Sequence, residues 1–402
     1  MAHSSQEHTG ARIADYRKLR QMSQTALARD AFLSRSTIAK VEAGLSPAST
    51  AVVAACARAL QVDVAVLYGQ PYISELRQDH LDRLISPLSN ALDMYDLGPD
   101  PDITPRPISR IADDVAVLCS GACATEYKNV GARLPGLLGE LITAVNVLPL
   151  GSAEYQSASA TLSWCYWVSY EFAYRLGYHH LASIALERMG WMAEQAQDPL
   201  LLAVRLAKRS SILLRRGDNH MAGRIIERGH ALVEQSESRR PVDALAVTGT
   251  LHLASAIASA QAQNKESVSG YMELANRAAD QIGRDVPHVY WTSFGKTNVL
   301  HYEVATRVEL GQLGGAVQEA RKLRFPVGHP KMRMGRYYME MGRAYAQMGK
   351  AEAAQRALRR AREIAPQQAR YHPLMRETIG VLVRRQRRAS DSLSAMAAWV
   401  GM

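Results

Sequence analysis

Apolar residues recur every three or four positions along most of the chain, which predicts amphipathic helices almost throughout. Residues 10–69 contain several short runs of this kind, and some follow serines that are suited to cap a helix. From Ile108 onward the helical spacing continues to the end, and no segment shows the alternation of a strand. The pattern predicts an all-α fold in which a small five-helix bundle precedes a long series of helices.

A proline-rich segment separates two parts of the chain. Four prolines lie between Gly98 and Pro107, and a helix cannot continue through them. The preceding residues, 73–95, have the spacing of one amphipathic helix broken at Pro87. We therefore expect three parts, which are an N-terminal domain over residues 10–69, a connector over residues 70–107 and a helical body over residues 108–402.

The N-terminal domain, called the head below, contains a predicted helix with a polar outer face. Ser34 is placed to cap this helix, and Gly44 follows it where a residue with positive φ commonly ends a helix. Ile38 and Val41 are three positions apart and face the core of the head. The side chains left on the outside are those of Arg35, Ser36, Thr37 and Lys40.

The outward side chains are of the types that contact DNA. Arginine and lysine bind guanine in the major groove, and serine and threonine reach base edges or phosphates. Between residues 12 and 40 the chain has seven lysines and arginines against two aspartates, a local positive charge that attracts phosphates. The alternative is that these residues form the solvated face of a generic helical bundle.

Motifs of the head resemble the Xre/Cro/cI family of helix-turn-helix regulators. The resemblance implies a DNA-binding domain whose third helix enters the groove. The matching residues are Met22-Ser23-Gln24, Leu27-Ala28, Phe32-Leu33-Ser34, Ile38, Glu42, Gly44, Pro47, Leu60 and Leu67.

The same resemblance implies roles for single residues. Gln24 corresponds to the family's phosphate-contacting position, and Arg17 and Glu42 correspond to its structural ion pair. Phe32 stands where the family usually has a glycine in the turn. Arg35, Ser36 and Lys40 correspond to base-reading positions, and the full predicted DNA-binding set is Gln24, Ser34, Arg35, Ser36, Thr37 and Lys40.

Helix–turn–helix units in the body resemble tetratricopeptide repeats. The clearest unit spans residues 335–366, where Gly342 and Ala354 take the small positions that let two helices approach closely. Weaker copies align on their turns, and the five aligned turn positions are residues 177, 217, 263, 311 and 349. The resemblance implies an α-solenoid of stacked helix pairs with a concave inner surface.

In tetratricopeptide units the first helix of each pair lines the concave face. Aromatic side chains together with arginines and asparagine suit an extended peptide or an organic ligand. For Trp164 and Trp167 the alternative is a place in the core of a terminal pair. The candidate ligand-binding residues are Trp164, Trp167, Glu171, Tyr174, Arg175, Arg215, Asn298, His301, Arg336 and Arg343.

Composition narrows the class of protein. The chain has 402 residues, 47% of them hydrophobic, and a formal net charge of +10, which suits a folded protein with a polyanionic partner. Its four cysteines are too sparse for a disulfide framework. Because no uninterrupted apolar stretch reaches about 18 residues and the N-terminus is polar, we expect no membrane partner and a cytoplasmic location.

Catalytic motifs are absent from the sequence. It has no glycine-rich phosphate loop, no metalloprotease motif and no nucleophile elbow, so we expect a protein that is not an enzyme and uses no cofactor or metal. His179 and His180 lack a third metal ligand nearby and are interpreted as surface residues. A stretch over residues 356–388 holds ten arginines, which either bind DNA or an acidic partner or form a solvated outer face.

The order of the parts resembles the peptide-pheromone receptors of Gram-positive bacteria and similar actinobacterial regulators. We therefore expect a sequence-specific, homodimeric transcriptional regulator that binds double-stranded DNA at an inverted-repeat operator. Its body would sense a peptide or a small molecule and set the geometry of the dimer. The alternative function is a DNA-anchored scaffold whose repeats bind another protein.

Overall fold

The computed structural model describes residues 8–236, 240–385 and 390–402. Within these ranges the regular structure is helical, and the one β-type contact is an isolated bridge between Val286 and Phe294. The predicted all-α fold is confirmed.

Five helices form the head, and their caps agree with the sequence. Ser23, Ser34 and Ser49 each accept a hydrogen bond from a backbone N–H in the first turn of the following helix. Phe32 takes a φ of 55°, so the turn keeps the left-handed geometry although glycine is absent. The helices are α1 (Thr9–Leu19), α2 (Gln24–Asp30), α3 (Arg35–Glu42), α4 (Thr50–Leu60) and α5 (Val64–Tyr68).

The connector is broken at a different place from the one predicted. It contains α6 (Ile73–Gln78), a 3-10 turn (Asp82–Leu84) and α7 (Ile85–Asp93). The predicted break at Pro87 is wrong, because Pro87 lies in the first turn of α7, where its missing N–H has no partner to lose. The interruption lies instead between α6 and α7.

The body consists of consecutive helix pairs and three closing helices. Each predicted turn at residues 177, 217, 263, 311 and 349 separates the two helices of a pair, and one more pair precedes them. The pairs are α8 (Ile108–Cys123) with α9 (Tyr127–Val147), α10 (Ala153–Leu176) with α11 (His179–Gln195), α12 (Pro199–Arg216) with α13 (Asn219–Glu234), α14 (Pro241–Gln261) with α15 (Lys265–Ile282), α16 (Lys296–Glu309) with α17 (Leu313–Ala320), and α18 (Lys331–Gln347) with α19 (Ala351–Ile364). The closing helices are α20 (Pro366–Tyr371), α21 (Pro373–Arg385) and α22 (Asp391–Trp399).

One body helix has the length and apolar character of a membrane span. This helix is α14, and no other helix in the described part of the chain passes the same test. In the fold α14 packs against α12, α13, α15 and α16, and Ala246, Leu253 and Ala256 on it are buried. These contacts bury 39% of its most apolar 18-residue window.

The head contacts two distant parts of the body. Arg58 on α4 donates from Nη1 to the carbonyl oxygen of Gly217, 3.1 Å away, at the turn between α12 and α13. Glu377 on α21 accepts a hydrogen bond from the backbone N–H of Thr9 at 3.1 Å. Arg384 donates to the carbonyl oxygen of Gly44, and a Cβ at Gly44 would lie only 2.1 Å from that guanidinium. The head therefore bridges the third helix pair, α12 with α13, and the closing helices.

Substitution of two glycines inside body helices tests the predicted close approach of α18 and α19. A Cβ at Gly342 would lie 2.5 Å from a methyl group of Leu358, whereas a Cβ at Gly270 would meet nothing within 4 Å. We expect Gly342→Ala to lower the free energy of unfolding by about 1–3 kcal/mol through overpacking. Gly270→Ala should raise it by about 0.5–1 kcal/mol, because alanine favours the helix.

Thermal unfolding of the full chain measures both changes. Equal melting temperatures for the two variants would contradict the close approach of α18 and α19 at Gly342.

Candidate functional site

The outer face of α3 is accessible as a surface. Arg35, Ser36 and Lys40 are exposed, and Thr37 is partly exposed beside them. Ser34 is exposed as well, but its hydroxyl accepts the capping bond from the N–H of Thr37 at 3.1 Å. Five of the six predicted DNA-binding residues therefore lie together at α3 and its N-cap.

A buried ion pair fixes α1 against the end of α3. The Arg17 guanidinium binds Glu42 through two bonds of 2.7 and 2.9 Å and also donates to the carbonyl oxygen of Met22 at 2.7 Å. Burial alone would raise the pKa of Glu42, but the hydrogen bonds from Arg17 and Gln24 hold this pKa below its usual value. Arg17 and Glu42 therefore have the paired geometry that the family resemblance implies.

Gln24, the sixth predicted residue, belongs to the same network. Its Nε2 donates to Oε2 of Glu42 at 2.9 Å, and its side chain is only partly exposed. Gln24 is also the first residue of α2, where backbone N–H groups are available to a phosphate. The side-chain amide thus orients α2 relative to α3 in this structure.

A cavity of about 270 Å³ lies between the head and the body. Its body wall comes mainly from the first helices of the pairs, α10, α12, α14, α16 and α18, and from α20 and α21. The second helices of the pairs contribute none of the residues that line it. The head and its junction with the connector close the cavity with Ala48, Thr50, Tyr68 and Gln70.

Seven of the ten predicted ligand-binding residues line this cavity, namely Glu171, Tyr174, Arg175, Arg215, His301, Arg336 and Arg343. The other three do not. Trp167 is fully buried and stacks on Trp291 with ring centroids 6.4 Å apart, and Trp164 packs on Trp167 and Tyr290. Asn298 is buried outside the lining. Trp167 thus belongs to the core and Trp164 is partly buried against it, in a helix pair that another pair precedes.

Most charged side chains of the cavity wall form ion pairs with one another. Glu171 accepts hydrogen bonds from Lys208 at 2.7 Å and from Arg175 at 2.9 Å. Burial alone would raise the pKa of Glu171, but these two cations lower it to about 2, so the carboxylate stays ionised. Similar pairs join Arg336 to Glu340 at 2.5 Å and Arg343 to Glu309 at 2.7 Å.

Gln70 joins the head to the body, and no motif in the sequence identifies it. Its Oε1 accepts hydrogen bonds from the Arg215 guanidinium and from Nε2 of His179, the latter at 3.1 Å. Its Nε2 donates to the carbonyl oxygen of Tyr371 at 3.5 Å. Of the two histidines predicted at the surface, His180 is exposed and His179 is partly buried. Burial and the nearby Arg215 lower the pKa of His179 to about 3.

Gln368 also lines the cavity, but its side-chain amide lacks the hydrogen bonds that the amide of Gln70 makes. It is 1% exposed, and neither its Oε1 nor its Nε2 has a hydrogen-bond partner within the described residues. A buried amide without partners costs stability, so natural cores rarely keep one. Side chains of this kind are common where a protein binds a ligand.

The arginine-rich stretch over residues 356–388 contributes to the junction between head and body. Arg385 donates to the carbonyl oxygen of Leu45 at 3.0 Å, next to the contact that Arg384 makes with Gly44. Arg370 and Arg376 pair with Asp79 and Glu75 of the connector. These four arginines therefore bind the head or the connector, although Arg384 and Arg385 remain exposed, and Arg387 and Arg388 lie outside the described residues.

Within the described ranges, no group of three or more His, Cys, Asp or Glu side chains is placed to hold a metal ion. A family model described as a helix-turn-helix domain matches residues 8–67 of the chain. Comparison with curated proteins and with solved structures finds no match. The head is thus a helix-turn-helix domain, and this supports a DNA-binding regulator.

Gln70 and Gln368 make a matched pair for stability measurements. We expect Gln368→Met to raise the free energy of unfolding by about 1 kcal/mol, because an apolar side chain of similar size removes an unpartnered buried amide. Gln70→Met should lower it by about 1–3 kcal/mol, since Arg215 and His179 lose their acceptor. Melting temperatures of the two variants test this, and a greater loss for Gln368→Met than for Gln70→Met would contradict it.

Proposed function

We propose that this protein is a sequence-specific, cytoplasmic transcriptional regulator of the Xre type. Its tetratricopeptide-like body binds a small-molecule effector in the cavity, and its two heads, in a homodimer, bind an inverted-repeat operator. The single observation that carries this proposal is that residues of the head and of the body line the same cavity. An effector bound there would touch the DNA-binding domain directly.

The surface of α3 supports the DNA-binding part of the proposal. Its exposed cation and hydroxyl groups match the donors that read base edges in a major groove. The Arg17–Glu42 pair holds α3 at a fixed angle to α1, which keeps the face in place without adding a base contact. One such head offers few base-reading side chains, and two heads on two half-sites supply enough for specificity.

The size and position of the cavity favour a small molecule over a peptide or a protein. A volume of about 270 Å³ is near the lower end of small-ligand pockets, which span about 300–1,000 Å³. Thr50 and Tyr68 of the head, together with Gln70 directly after it, cover one side of the cavity, where an extended peptide would need an open groove. The scaffold alternative lacks a comparable observation.

Contact between the cavity and the head supplies a route for regulation. Gln70 directly follows the head along the chain, and it is held by Arg215 of α12 and Tyr371 of α20. An effector that binds the two states of this junction with different affinity shifts the position of the head. Couplings of this type are typically about 1–3 kcal/mol, or about 5- to 150-fold in operator affinity.

The DNA-binding test begins with genome-wide mapping of binding sites, which gives the operator sequence. In gel shifts, Arg35→Ala should weaken operator binding by about 1–3 kcal/mol and relax specificity at one base pair. Gln24→Ala should weaken operator and random DNA alike, because it acts on phosphate contact or on the position of α2. Arg29→Ala is the control, since Arg29 is exposed on α2 outside the predicted set.

Equal losses on operator and random DNA for Arg35→Ala would contradict its base-reading role. Stable co-purification of another protein, without any small molecule that changes operator affinity, would favour the scaffold alternative.

A further inference from the structure

The cavity wall carries more positive than negative charge. Six of its side chains are lysine or arginine and four are glutamate. Two histidines also line it, and burial together with nearby arginines holds the pKa of His372 well below its usual value, so His372 adds no charge. The wall therefore has an excess of two positive charges.

Two of these cations have no carboxylate partner. Glu171, Glu340 and Glu309 are taken by Arg175 with Lys208, by Arg336 and by Arg343, as described above. The fourth carboxylate, Glu377, accepts the backbone N–H of Thr9. Among the described residues, the cavity arginines left without a carboxylate partner are Arg215 and Arg333.

Both arginines are bound by neutral groups only. Arg333 donates to the hydroxyl of Tyr302 at 3.3 Å and to the carbonyl oxygen of Thr292 at 3.1 Å, and its buried Nε has no partner among the described residues. Arg215 donates to Gln70 and lies 5.1 Å from the ring centre of Tyr68. A partly buried guanidinium with neutral partners still favours an anion, because charge-assisted bonds are the strong ones.

The remaining groups describe the rest of the ligand. Tyr68, Tyr174 and Trp291 offer flat apolar surfaces, and Gln368 offers an unpartnered donor and acceptor. Such a wall binds a compact organic body with a hydroxyl or carbonyl group in addition to its charge.

We propose that the cavity binds a small organic anion whose carboxylate or phosphate groups pair with the two arginines that lack a carboxylate partner, Arg215 and Arg333, with Gln368 as a further polar contact. The inference rests on the proposed function, because it names the chemical class of the effector. An anion on Arg215 would compete with Oε1 of Gln70 for the guanidinium and would therefore loosen the junction between head and body.

The binding test uses the full chain and needs no DNA. Sodium phosphate is titrated at constant ionic strength against sodium chloride, and the melting temperature is recorded. We expect a saturable increase with phosphate that chloride does not give. Arg333→Gln and Arg215→Gln should each weaken apparent phosphate affinity by about tenfold or more. Arg216→Gln, an exposed neighbour outside the cavity lining, is the matched control and should bind as the original chain does.

Benzoate and benzamide separate the anionic group from the organic body, because they share a ring and differ in charge. We expect benzoate to bind more tightly than benzamide and phosphate to compete with it. A preference for phosphate over benzoate would identify a phosphate-bearing ligand, and the reverse would identify a carboxylate. Arg333→Lys and Arg215→Lys keep the charge, so partial binding by them shows that loss in the glutamine variants is not a folding defect.

Two outcomes would overturn the inference. One is no saturable effect of phosphate beyond chloride together with equal binding of benzoate and benzamide. The other is phosphate binding that is unchanged in the double Arg215→Gln, Arg333→Gln variant. Anion binding without any change in operator affinity would instead refute the proposed regulation and leave the anion site standing. Operator binding by Arg35→Ala tests the DNA-binding surface alone, so its result bears neither on the anion site nor on the regulation.

Discussion

The placement of one glutamine amide controls how the two halves of this molecule meet. Gln70 lies where the chain leaves the head, and it is bound by three groups from three separate body helices. Since Arg215 and Tyr371 are far apart in sequence, their meeting at one amide requires that the body curve back on itself. The head lies against the inner side of this curve, and Ala48, Thr50 and Tyr68 of the head line the cavity together with Gln70.

Buried charge sets the character of the cavity. Isolated ions are too costly to bury, so most of its arginines are paired with glutamates that remain ionised. Arg333 and Gln368 break that rule in different ways, one as a cation with neutral partners and one as an amide with none. Polar groups that are poorly satisfied within a fold are a cost to stability, and proteins keep them mainly where function needs them.

The sequence could predict what depends on local spacing. Ser34, Gly44 and the turns of the body were predictable because caps, positive φ and helical periodicity involve neighbours along the chain. The Arg17–Glu42 pair is a long-range contact, and it came from the family resemblance rather than from periodicity. The break in the connector was not predictable from Pro87, because a proline in the first turn of a helix is tolerated.

The contacts between the body and the head could not be predicted from the sequence. The assignment of concave positions to the first helices correctly predicted seven residues that line the cavity, but it also included Trp167, which is buried. Trp167 stacks on Trp291, and Trp291 lies in the segment between two helix pairs. Arg384 and Arg385 have the pattern of a solvated basic run. Their acceptors are carbonyl oxygens of the head, which are distant in sequence, so local spacing could not predict these bonds.

Gln70, Gln368 and Arg333 belong to no motif, and only their environments distinguish them from other glutamines and arginines of the chain. The part of the site that gives chemical selectivity therefore depends on the global curvature of the helix pairs. A substitution that alters this curvature would change ligand binding and head position together, without touching either surface.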